Sequence, residues 1–125
     1  MATLYIERRD EYLDGSIKGC ISQPILSGTN LNINLKPRVV HLGHDSEGAS
    51  QEISAFNQAL IELASNSDVN KENIPELLIL KSDNRDFSQV AKEAMQELEN
   101  RGIALNVRKR WNSLGSSIYK GNVFP

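Results

Sequence analysis

Near Ser50 the apolar residues of this chain change their spacing, and that change limits the folds open to it. Before it the pattern is that of strands. Thr3 to Ile6 is β-favouring, Asp14-Gly15 is a hairpin dipeptide, Ile17 to Ile21 continues beyond it, and Leu31, Ile33 and Leu35 alternate strictly. An antiparallel three-stranded meander is expected. Pro37 ends or bends the third alternation, and Val39-Val40-His41-Leu42 either resumes it or forms a separate short strand. From Ser50 onward Ile53, Phe56, Leu60 and Leu63 recur at spacings of three and four, which places one apolar stripe along a helix reaching Ala64.

The rest of the chain alternates helix and strand. Ser65 to Asn73 has loop composition, and Pro75 closes it before Leu77-Leu78-Ile79-Leu80, a short apolar run suited to a central strand buried on both faces. A second helix is expected with Asp86 as its cap and Gln89 as the capping-box partner. Phe87, Val90, Ala91, Ala94 and Leu98 would form its apolar face, and Gly102 would stop it. Ile103 to Val107 reads as a strand, and a strand–helix–strand unit with a short return joins parallel neighbours. The expected architecture is α+β: the meander, then α-β-α-β, in one mixed five-stranded sheet. Trp111 to Pro125 reads as one more edge strand or an ordered tail.

A chain of 125 residues, 39% hydrophobic and 24% charged, suits one globular domain over residues 1–125. Cys20 is the sole cysteine, so no intramolecular disulfide forms, and a small buried hydrophobe is the plainest reading of it. Residues 1–9 lack a signal-peptide apolar run, and no apolar window approaches the roughly 20 residues that cross a bilayer. A cytoplasmic protein without membrane insertion is expected. No GxxxxGK[ST] phosphate loop, GxGxxG, CxxC pair or GxSxG elbow occurs, which disfavours nucleotide hydrolases and structural zinc modules.

The phrase Glu52-Ile53-Ser54-Ala55-Phe56-Asn57-Gln58-Ala59-Leu60-Ile61-Glu62-Leu63 resembles the first helix of ribonuclease H-like domains, where a metal-binding glutamate opens an Ala/Leu-rich amphipathic run. Asp83, closing Leu77 to Ser82, matches the aspartate at the end of the family's fourth strand, and Asp14-Gly15-Ser16 matches its first-strand tripeptide by letter. The element order is also similar to that family's. The resemblance implies that Asp14, Glu52 and Asp83 are catalytic and hold Mg²⁺ or Mn²⁺. Two such ions about 3.5–4 Å apart would activate water and stabilise the leaving oxygen of a phosphodiester. The family's fourth carboxylate has no counterpart, because residues 101–125 contain no acid. Each residue also has an ordinary reading: Glu52 in a first helical turn, Asp83 in a loop, Asp14 in a hairpin turn.

Two further groupings stand out. His41 and His44, with Asp45 and Glu47, bring two imidazoles and two carboxylates within seven residues, a set that could ligate a transition metal or supply a general base but reads more plainly as solvent-facing loop residues, with one histidine as an auxiliary substrate-binding group if the fold places it beside the carboxylates. Arg108-Lys109-Arg110-Trp111 pairs cations with an indole, which suits phosphate contact and base stacking, or equally a basic edge strand with Trp111 as a lid. The charge is segregated: residues 1–100 hold 9 basic and 16 acidic side chains, whereas 101–125 hold five basic ones alone. A nucleic-acid-processing or nucleic-acid-binding protein is thus one expectation. The other is a non-catalytic protein-binding module, immunity- or antitoxin-like. Its acidic face would be built by Glu7, Asp10, Glu11, Asp14, Asp45, Glu47, Glu52 and Glu62.

Overall fold

A computed structural model describes residues 1–12, 15, 18–41, 48–81 and 87–109. The chain order is β1 (Ala2–Tyr12), β2 (Lys18–Ser27), β3 (Arg38–His41), α1 (Gly48–Ser65), β4 (Glu76–Lys81), α2 (Gln89–Asn100) and β5 (Ala104–Lys109). The strands form one five-stranded mixed sheet in the order β3-β2-β1-β4-β5, antiparallel across β3, β2 and β1 and parallel across β1, β4 and β5. This is the expected meander followed by α-β-α-β, in ribonuclease H-like order.

Strand alternation decides which side chains meet the helices. Ala2, Leu4 and Ile6 of β1 and Leu77 and Ile79 of β4 are buried in one cluster with Ala55, Phe56, Ala59, Leu60 and Leu63 of α1 and Ala91, Ala94 and Leu98 of α2. Both helices therefore cover the same sheet face, and Phe56 meets Phe87 with ring centroids 5.4 Å apart. Leu78 and Leu80 point the other way and are only half-buried, so β4 is fully buried on one face. β1 outruns its parallel neighbour, because β4 pairs with Ala2 to Leu4 alone, and Glu7 to Tyr12 are consequently exposed.

The third strand is not where Leu31, Ile33 and Leu35 suggested. Residues 31–37 make no ladder, and β3 is the separate short strand beginning at Arg38. The alternation has another cause: Leu35 is buried and Leu31 and Ile33 pack against the core, so an extended stretch is buried on one side without pairing. The Gln23 side chain bridges to it through Nε2–H to the Leu35 carbonyl at 2.8 Å, and the Lys36 N–H is taken by Glu62 Oε1 at 3.1 Å.

The second helix differs at its start. Ser88, in extended conformation, accepts the Ala91 N–H at 3.1 Å and is the N-cap, so Gln89 opens the helix, the cap falls two residues after Asp86, and with Ala91 at the third helical position no capping box forms. Val90 is 55% exposed, one position off the Ala91, Ala94, Leu98 stripe, and leaves the apolar face assigned to it. At the other end the expected stop holds. Gly102, at φ +93°, donates to Glu99 and Ile103 donates to Leu98, a Schellman closure in which Ile103 and Leu98 are both buried.

Residues 66–73 are ordered by their own asparagines. Asn66 Oδ1 accepts the Asp68 N–H, Asn70 Oδ1 accepts those of Glu72 and Asn73, and Asn73 donates to the Asp68 carbonyl. At Gly28 the φ is +80° and an added Cβ would lie 2.5 Å from the Met1 carbonyl oxygen. Gly28→Ala is expected to cost about 1–2 kcal/mol from the left-handed backbone, read by urea unfolding, with the amides of Ala2 to Leu4 losing protection first.

Candidate functional site

Among the described residues the buried charged side chain is that of Glu52, 9% exposed, on the first turns of α1 where the helix meets β1 and β2. A buried carboxylate needs a counter-charge or hydrogen-bond donors. Arg8 supplies one, with Nη1 3.2 Å from Glu52 Oε1. Its Nη2 donates to Cys20 Sγ, also at 3.2 Å. Arg8 reaches them because it continues the inward register of Leu4 and Ile6 on β1. The Cys20 sulfur first, and Glu52 beyond it, raise the Arg8 pKa above its ordinary value against the opposing effect of burial. The guanidinium therefore stays charged, and its side of the ion pair stays intact, at any pH below the ordinary arginine range.

Gln51 ties the same corner together, donating through Nε2 to the carbonyls of Cys20 at 2.9 Å and Arg38 at 2.6 Å, and so joining α1 to β2 and β3. Ser22 Oγ and Gln51 Oε1 are buried there with no hydrogen-bond partner among the described residues. Cys20 is 1% exposed, in keeping with the packing reading of it.

Of the three expected metal ligands, Glu52 alone is described; Asp14 and Asp83 lie outside the described residues, as do His44, Arg110 and Trp111. His41 lies on β3 opposite Gly19 in the register. Among the described residues no three His, Cys, Asp or Glu converge, and Glu52 is paired with Arg8. Arg108 is half-buried on β5 opposite Leu80, and Lys109 is the register partner of Lys81, the last residue of β4.

Of the residues expected to build an acidic face, Asp14, Asp45 and Glu47 lie outside the described residues, and the others have local partners or divide between strand faces. Alternation sends Glu7 and Glu11 to one side of β1 and Asp10 to the other. Glu11 is bound to Arg9 at 3.1 Å, Asp10 lies 3.8 Å from Lys18, Glu52 is held by Arg8 and Glu62 by the Lys36 N–H. No helix among the described residues is long and apolar enough to cross a membrane.

Arg8 is the residue sequence reasoning passed over. Its signal was available: Leu4, Ile6 and Arg8 share one parity, and a charge in the inward register of a strand calls for a buried partner. Arg8→Met is expected to destabilise by about 2 kcal/mol, because it strands the Glu52 carboxylate. Arg8→Met with Glu52→Gln should recover at least half of that loss; simple additivity in urea unfolding would show that the pair carries no coupling.

Compared with known proteins, the chain matches no family model, no curated protein and no solved structure.

Proposed function

We propose that this chain is a nucleic-acid-binding domain of the ribonuclease H-like kind that holds its ligand without cutting it. The observation that carries the reading is Arg8: a guanidinium already neutralises the carboxylate that two-metal cleavage would use. The nucleic-acid side of the reading is supported by the strand order and by the cations that close the chain, Arg108, Lys109, Arg110 and Lys120, with no acid after Glu99. Trp111, following them directly, is of the residue type on which unpaired bases stack. The protein-binding reading needs one acidic surface, and the described acids are divided between strand faces and held by local partners.

The test is a labelled single-stranded oligonucleotide incubated with the full chain, with and without Mn²⁺, alongside an Mg²⁺ titration followed at the backbone amides of Asp14, Glu52 and Asp83. The oligonucleotide should bind, weaken steeply with salt and remain intact, and the three amides should stay still at millimolar Mg²⁺. Cleavage, or a joint shift of all three, would establish a metal site and overturn the non-cutting reading. Absence of any oligonucleotide affinity would overturn the nucleic-acid reading itself.

A further inference from the structure

We infer that a single water molecule is bound inside the protein between Ser22 and Gln51, fastening α1 to β2. The site is independent of the nucleic-acid reading. Ser22 is fully buried and Gln51 is 7% exposed, yet Ser22 Oγ and Gln51 Oε1 each lack a hydrogen-bond partner among the described residues. A buried polar atom left unpaired is costly, and in folded proteins such atoms are met by other protein groups or by internal water.

Both atoms belong to one corner. Gln51 Nε2 donates to the carbonyls of Cys20 at 2.9 Å and Arg38 at 2.6 Å, which fixes the amide with its nitrogen, and not its oxygen, against them. Ser22 is the register partner of Arg38 and lies two residues from Cys20 on β2, so its side chain leaves the sheet on the face that the amide covers. A serine hydroxyl rotates, and would donate straight to Gln51 Oε1 if the two were within reach. They make no such bond. The link therefore needs a molecule that accepts from the hydroxyl and donates to the amide oxygen. Charge narrows the choice: Arg8, opposite Ser22 on β1, donates to Cys20 Sγ at 3.2 Å and repels a cation, while Gln51 Oε1 only accepts and repels an anion. A small neutral donor and acceptor is left, and water is that molecule.

A crystal structure of the full chain at a resolution that orders solvent is the direct test. One water oxygen should lie within hydrogen-bond distance of both Ser22 Oγ and Gln51 Oε1. In solution, oxygen-17 relaxation dispersion of water counts long-lived internal molecules, and Ser22→Val, which places a methyl group where the water would lie and removes the hydroxyl, should read one fewer than wild type. Far-UV circular dichroism matching wild type would confirm that the variant is folded, and the wild-type crystal structure decides the question if it is not. A Ser22 hydroxyl bonded directly to Gln51 Oε1, no water between them, or an unchanged dispersion amplitude in folded Ser22→Val would overturn the inference.

Discussion

Arg101→Ala is expected to lose about 3 kcal/mol of stability, since charge-assisted hydrogen bonds to carbonyls contribute about 1.5–3 kcal/mol each before relaxation. Arg101 is the C-cap of α2, yet its side chain serves α1. Nη1 donates to the carbonyls of Asn66 at 3.0 Å and Val69 at 2.9 Å, and Nη2 donates to that of Ala64. The last turn of α1 leaves its carbonyls without helical partners; this guanidinium satisfies that of Ala64, ties the loop carbonyls of Asn66 and Val69 to the same corner, and places positive charge at the negative end of the helix dipole. The midpoint of thermal unfolding should fall by about 10 °C. Arg101→Lys should recover less than half, because a single ammonium cannot span three carbonyls in a fixed fork. Glu97, which accepts from Nε at 3.0 Å but is half exposed, should matter little: Glu97→Gln is expected within about 0.5 kcal/mol of wild type. Arg101→Ala unfolding at the wild-type urea midpoint would show that water satisfies those carbonyls equally well.

Leu60→Ala is expected to cost about 3–4 kcal/mol, the transfer term of the lost side chain plus a cavity that α1, pinned at both ends, cannot close. Leu60 is fully buried in the cluster between α1 and the sheet, with Gln51 fastening one end of the helix and Arg101 the other. The urea slope should be unchanged while the midpoint falls. Val90→Ala is the control. Its side chain is as apolar by type but exposed, so the change should stay within about 0.5 kcal/mol. Comparable losses for the two would mean that α2 packs through a different face from the one described.

Much of the architecture was legible because its signals are local. Helical spacing from Ser50, the apolar run Leu77 to Leu80 and the stop at Gly102 each depend on residues within a few positions of one another. Misreadings arose where two signals of the same kind competed. Leu31, Ile33 and Leu35 alternate as a strand would, but one-sided burial against the core produces the same pattern without a ladder. Asp86 and Ser88 are both good caps, and Ser88 is the one whose hydroxyl reaches the Ala91 N–H. Val90 fits a helical stripe drawn one residue too wide.

The site was less legible. Glu52 was identifiable as a carboxylate at the head of an amphipathic helix, and the cations at the end of β5 were visible as a run. Arg8, the partner of Glu52, was assigned no role.

Periodicity and turn chemistry are written in neighbouring residues, so the amino-acid sequence was sufficient for the element order and for the apolar stripe of α1. Partnership between distant residues belongs to the tertiary structure. The separation of 44 positions between Arg8 and Glu52 is closed only when the sheet assembles in the order β3-β2-β1-β4-β5. Register then decides the chemistry, because a shift of one residue along β1 would turn Arg8 away from α1.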